Sequence, residues 1–118
     1  MEKHKTLGQV FTPNWIIAEI LDLVGYNNEC ILDKYILEPS SGDGAFLIEI
    51  VNRYINICID KKVELHEIKE RLEKYIYGVE LDEVEYTKSI QNLNRFVSQK
   101  LHINGNINWK VYNQNTLN

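Results

Sequence analysis

Ile36-Leu37-Glu38-Pro39-Ser40-Ser41-Gly42-Asp43-Gly44-Ala45-Phe46-Leu47 is the stretch that decides the fold. A short apolar segment ends in an acid, two glycines follow one residue apart, and an apolar run at helical spacing begins. The pattern predicts a strand, a tight turn and a helix. Glycine has no Cβ and tolerates positive φ, so such a turn lets backbone come very close to a ligand. At the carboxyl end of a parallel strand it marks a nucleotide-type site. The competing reading is an ordinary strand-to-helix connection.

Beyond the turn, Phe46, Leu47, Ile50, Val51, Tyr54, Ile55 and Cys58 form an apolar stripe at helical period, with Glu49, Asn52, Arg53 and Asn56 on the other side. Leu65, Ile68, Leu72 and Tyr75 suggest a shorter helix, and residues 75–80 a second strand. Residues 83–97 read as a helix with Val84, Thr87, Ile90, Leu93 and Val97 inward, 104–106 as a turn, and 107–112 as a third strand. Before the turn, residues 1–11 form an extended lead. Thr12 suits an N-cap and Pro13 the first helical position. Ile16, Ile17, Ile20, Leu21 and Val24 follow at helical spacing until Gly25 stops the run. Residues 27–34 read as a polar connection and 35–38 as the first strand.

Strands alternating with helices define an α/β class with a parallel sheet and flanking helices. One domain is expected over residues 1–118, with 1–34 as lead and amino-terminal helix and 35–118 as a βαβ core. Three strands are few for a doubly wound sheet, so the chain is expected to be the amino-terminal portion of a larger domain.

The net charge is −4, from 13 Lys and Arg against 17 Asp and Glu. The basic residues are scattered, whereas a surface that grips nucleic acid alone carries a basic face. A DNA-gripping surface therefore belongs elsewhere. No apolar run approaches the ~20 residues that span a bilayer. Residues 1–5 are charged and polar, unlike a secretory signal. Two cysteines, Cys30 and Cys58, suit a reduced cytoplasmic protein, with Cys58 on an apolar helix face as a buried structural thiol. No Cys/His spacing resembles a metal site.

The glycine turn has no third glycine, because Leu47 stands there, and no Lys-Ser/Thr follows, which rules out a phosphate-binding P-loop. Glu80 ends the second strand, where a carboxylate can accept hydrogen bonds from both ribose hydroxyls. Taken alone it could equally be a solvated strand-end acid. Leu81 can cover one face of an adenine ring. Glu38 is a second carboxylate at a strand tip. It would repel a pyrophosphate but suits a cationic ligand such as S-adenosylmethionine, which carries a sulfonium and an ammonium.

Three segments occur in order: Gly8-Gln9-Val10-Phe11-Thr12-Pro13, Glu38 to Leu47, and Tyr77-Gly78-Val79-Glu80-Leu81-Asp82. Together they resemble the amino-terminal part of the adenine-specific (N6) DNA methyltransferases of restriction–modification systems, most of all the branch in which methylase and restriction functions can share one polypeptide. The resemblance runs from about Gly8 to Leu117. It implies a partial Rossmann-like, S-adenosylmethionine-dependent methyltransferase fold with about three strands. It also implies roles. Phe11, Thr12 and Pro13 would meet the methionine end of the cofactor. Glu38, Pro39, Ser40, Gly42 and Gly44, with Phe46 just beyond, would form the cofactor loop, Glu38 lying near the amino-acid end. Glu80 would hold the ribose and Leu81 would pack on adenine. Asn115 stands where the family commonly has an acid that contacts the adenine amine. Its side-chain oxygen can accept the same bond without the charge.

The family's catalytic Asn-Pro-Pro-Tyr motif, which polarises the amine of a flipped adenine, is absent, since Pro13 and Pro39 are the only prolines. The expectation is the cofactor-binding portion of a site-specific DNA adenine N6-methyltransferase, inactive alone. It would act on duplex DNA through regions outside this chain, without a membrane partner, and an uncovered sheet edge would invite self-association. Two other readings stand beside it: a non-catalytic binding or assembly subunit that keeps the cofactor fold, and a nicotinamide-dependent oxidoreductase fragment.

Overall fold

Pro13 sets the start of the first helix, α1 (Asn14–Leu23): its carbonyl accepts the N–H groups of Ile16 and Ile17 at 3.0 and 3.1 Å. Pro13 is thus the N-cap rather than the first helical residue, and Thr12 precedes the cap instead of forming it. The locked φ of proline is compatible with either position, and its ψ of 149° places it outside the helix. A computed structural model describes residues 12–39, 44–104 and 107–113.

Ile17 and Leu21 are the buried positions of α1, whereas Ile20 and Val24, expected inward, are exposed. Gly25 ends the run with φ +80°, and the Tyr26 N–H returns to the Leu21 carbonyl at 2.8 Å. The expected polar connection contains a 3₁₀ turn, Glu29–Asp33. Asn28 caps it by accepting the Cys30 N–H at 2.8 Å, and Ile31 is its buried anchor. One buried isoleucine in a polar run carries no period, which is why the turn is invisible to pattern reading.

Three parallel strands, β1 (Ile36–Glu38), β2 (Ile76–Glu80) and β3 (Lys110–Asn113), form a sheet in the order β1–β2–β3. Helices α2 (Ala45–Asp60) and α3 (Leu65–Tyr75) connect β1 to β2, and α4 (Glu83–Leu101) connects β2 to β3. Both crossovers step in the same direction. Right-handed connections then place these helices on one face of the sheet. The strands record it: Ile76, Gly78 and Glu80 are buried while Tyr77 and Val79 between them are half-buried. On the far face Leu37 remains 59% exposed, and Tyr112 is exposed as well.

The apolar stripe of α2 is as expected. Leu47, Ile50, Val51, Tyr54, Ile55 and Cys58 are all buried, and Phe46 is half-buried. Gly78 lets this helix settle on β2, because a Cβ there would lie 2.9 Å from Leu47 Cδ1. Arg53, expected on the outer side of α2, turns inward and joins α2 to α1. It donates to Glu49 Oε2 at 3.0 Å, Asp22 Oδ1 at 2.7 Å, and the carbonyls of Tyr26 and Ala18 at 3.2 and 3.3 Å.

Helix α4 buries Glu85, Ser89, Leu93 and Val97, a strict four-residue spacing, and leaves Val84 and Thr87 exposed. Leu93 and Val97 are buried and Ile90 packs on the core as expected, so the departure is confined to the first two turns. The third strand starts at Lys110, later than expected. Ile107 and Trp109 are buried without belonging to the sheet, and Trp109 Nε1 donates to Asn94 Oδ1 at 2.7 Å. Among the described residues no helix is long and apolar enough to cross a membrane.

Candidate functional site

The carboxyl ends of the three strands and the amino ends of α2 and α4 meet at one edge of the sheet. Glu38 is register partner of Gly78, and Glu80 stands two residues further along β2. Side chains alternate along a strand. Glu38 and Glu80 therefore share a face of the sheet, at the tips of neighbouring strands. Asn113, at the end of β3, is the register partner of Glu80 and extends the row.

Glu80 is 8% exposed, so it is a buried acid rather than a solvated one. A buried carboxylate requires hydrogen-bond partners. The Asp82 backbone N–H supplies one, donating to Glu80 Oε2 at 2.8 Å. Charge-assisted bonds of this kind are short and strong. Asp82 in turn caps α4, its Oδ1 accepting the Glu85 N–H at 3.0 Å. Leu81, between the two, is exposed and free to meet a planar ring.

Gly44 opens α2 as its N-cap, with φ +92° and its carbonyl accepting the Ile48 N–H at 2.7 Å. A Cβ on Gly44 would lie 3.2 Å from both Cα and Cβ of Ser89. The glycine is needed twice, for its backbone conformation and for the close approach of α4. The first turn of α2 holds no acid, and its positive end lies beside the tip of β1. The first turn of α4 already contains Glu83 and Glu85. The two helix ends differ accordingly: one favours an anionic group, the other donors.

A cleft of about 330 Å³ lies where α1 and α2 begin, lined by Asn14, Ile17, Ala45, Ile48 and Glu49. It brings the start of α1, with half-buried Thr12 and exposed Pro13, to the first turn of α2, where Phe46 is half-buried. Pro39 is exposed just past β1. Phe11, Ser40, Gly42 and Asn115 lie outside the described residues. Of the expected site residues, Glu38, Glu80 and Gly44 stand at this edge, with Pro39 and Leu81 next to the strand tips in sequence, while Thr12, Pro13 and Phe46 flank the cleft between α1 and α2 in sequence. Pattern reading missed Glu85, a second buried carboxylate here, although Asp82-Glu83-Val84-Glu85 has the spacing of a capping box.

The same sequence matches known proteins. It is 31% identical over 109 residues to the type II methyltransferase M.BstVI of Geobacillus stearothermophilus, covering 92% of this chain and 19% of that protein. It is 31% identical over 87 residues to the type II restriction enzyme and methyltransferase RM.BcgI of Heyndrickxia coagulans, covering 74% of this chain and 12% of that protein. The chain thus spans about a fifth or less of the length of these relatives. Its fold superposes with a TM-score of 0.59 on a nuclease-deletion mutant of the type ISP restriction–modification enzyme LlaGI, solved with a DNA substrate mimic. That match has 20% identity and covers 83% of this chain and 8% of the other. The model of the N-6 DNA methylase family matches residues 1–118 from end to end. By that full-length match the chain belongs to the N-6 DNA methylase family.

Proposed function

We propose that this chain is the S-adenosylmethionine-binding portion of a site-specific DNA adenine N6-methyltransferase of a restriction–modification system. The observation that carries the reading is the placement of Glu38 and Glu80 on one face at neighbouring strand tips, beside a helix that opens on Gly44. The donor set fits the cofactor. Glu80 accepts from the ribose diol, and exposed Leu81 packs on adenine. Glu38 meets the ammonium, and the positive amino end of α2 favours the carboxylate. The Gly44 approach to Ser89 keeps the wall of the site free of side chains. Phe11, Ser40, Gly42 and Asn115 are proposed to complete it.

Bound S-adenosylmethionine supplies an electrophilic methyl group. The residues of this chain hold and orient it, worth up to ~7–11 kcal/mol when two reactants are well placed. The chain contains no Pro-Pro sequence, so polarising the target amine and stacking a flipped adenine fall to residues elsewhere. Duplex DNA is gripped elsewhere too, given the net charge of −4, and the setting is the cytoplasm.

Titration calorimetry with S-adenosylmethionine and with NAD tests the reading. Heat with the former alone is expected. Glu80→Ala should weaken binding by about 1.5–3 kcal/mol, the cost of losing charge-assisted hydrogen bonds. Heat with NAD alone, or unchanged affinity in the variant, would overturn it. Methylation of DNA by the clean 118-residue chain would overturn the assignment of catalysis to other residues.

A further inference from the structure

Asp82 and Glu85 occupy the N-cap and N3 positions of α4, where Asp and Glu form a reciprocal pair: the cap side chain accepts the N3 amide, and the N3 side chain accepts the cap amide. Only the first bond is made, from the Glu85 N–H to Asp82 Oδ1 at 3.0 Å. The Asp82 N–H goes instead to Glu80 Oε2 at 2.8 Å. Glu85 is left 7% exposed, and its buried Oε1 has no hydrogen-bond partner among the described residues. The nearest cation to its other oxygen, Lys88 Nζ, stands 3.7 Å away, beyond hydrogen-bond length. Burying a carboxylate oxygen without a donor is costly. Two buried acids therefore compete for one amide, and the acid at the strand tip holds it.

We propose that Glu85 is a positioning residue that takes over the Asp82 amide when a ligand diol engages Glu80. The proposal rests on the reading of Glu80 as the ribose-binding acid. A carboxylate that grips a vicinal diol turns both oxygens to it, which pulls Oε2 away from Asp82. Glu85 then completes its half of the capping box. The orphaned amide and the orphaned oxygen satisfy each other, and the start of α4 stays in place while Glu80 turns. Part of the cost of moving Glu80 is returned locally, so ligand affinity depends on a residue that need not touch the ligand.

Hydrogen exchange at the Asp82 amide tests the handover without any ligand, in the full chain. In Glu80→Ala the amide should remain protected, because Glu85 accepts it. In Glu80→Ala/Glu85→Ala it should exchange about tenfold faster, the loss of one charge-assisted bond. Equal exchange in the single and double variants would overturn the proposal. Calorimetry with S-adenosylmethionine reads the second half. Glu85→Ala should bind about three- to tenfold more weakly than the native chain, while its ligand-free form resists urea at least as well, having shed an unpaired buried oxygen. Glu85→Gln, whose amide oxygen accepts the same bond, should restore affinity. Native affinity in Glu85→Ala, or no rescue by Gln, overturns the proposal. Absence of heat with the native chain, together with the expected exchange pattern, would sink the cofactor reading and leave the amide handover standing.

Discussion

Gly44 and Ser89 hold the start of α2 against α4: a Cβ on the glycine would lie 3.2 Å from both Cα and Cβ of the serine, one of them a backbone atom that cannot rotate away. Ser89 is fully buried, and Gly44 has φ +92°. Gly44→Ala therefore meets two penalties at once. The left-handed backbone alone costs about 1–2 kcal/mol for a residue with a Cβ, and α4 must also move. The variant is expected to lose at least that much stability in urea unfolding. Because α4 carries Asp82 at its start, it should also lose more S-adenosylmethionine affinity than a remote variant of equal instability.

Gly78 and Leu47 form the equivalent contact under the sheet. A Cβ on Gly78 would stand 2.9 Å from Leu47 Cδ1, and Leu47 is fully buried. Gly78→Ala is an overpacking change, expected to cost about 1–3 kcal/mol. The clash is with a side-chain tip, so shortening that tip should relieve it. In a Leu47→Val background the same substitution should cost clearly less, and a double-mutant cycle on unfolding free energies measures the difference. Additive costs would mean that Gly78 is demanded by the strand backbone rather than by the helix above it.

These two contacts also explain what could be read in the sequence and what could not. The helix α2 and the parallel alternation of strands and helices were legible, because Phe46 to Cys58 repeats at helical period and short apolar runs separate the helices. Glu38 and Glu80 were legible as strand-tip acids for the same reason. On α4, Ile90, Leu93 and Val97 were legible and the first two turns were not. Apolarity favours Val84, whereas the close approach of Gly44 selects small Ser89 and draws Glu85 in with it. The apolar run at 107–112 announced the third strand correctly and its start three residues early, since Ile107 and Trp109 pack without joining the sheet. Arg53 looked like a surface cation because its partners, Asp22 and the carbonyls of Ala18 and Tyr26, lie at least 27 residues away along the chain.

Arg53 predicts an acid limb of stability. Its hydrogen bond holds the Asp22 carboxyl below the ordinary carboxylate range. A depressed carboxylate stabilises the fold above its unfolded value, about 3.9, and that contribution disappears as pH falls through the lower folded value. Arg53→Met removes that bond and the donor to the Tyr26 carbonyl. It should lose about 1 kcal/mol near neutral pH, the net worth of an intramolecular hydrogen bond. Urea midpoints of the native chain and the variant should converge as pH is lowered from 5 towards 2. A constant gap across that range would show that Asp22 gains nothing from Arg53.

Cys58 gives a probe of the same core. Burial pushes its thiol up to about 11, and it lies within α2 at 0% exposure, whereas Cys30 is exposed. Thiolate, not thiol, is the nucleophile. At pH 8, iodoacetamide should modify Cys30 in the native chain and leave Cys58 untouched, and both should react in guanidinium. The raised value carries a pH dependence of opposite sign to that of Asp22. An unfolded thiol ionises near 8.5, so above that pH the unfolded state sheds a proton that the folded state keeps. Stability should decline from about pH 8.5 until the folded thiol itself ionises, and Cys58→Ala should remove that part of the decline. Rapid native-state labelling of Cys58 would mean that α2 opens far more easily than its buried stripe allows, and with it the helix on which the glycine turn depends.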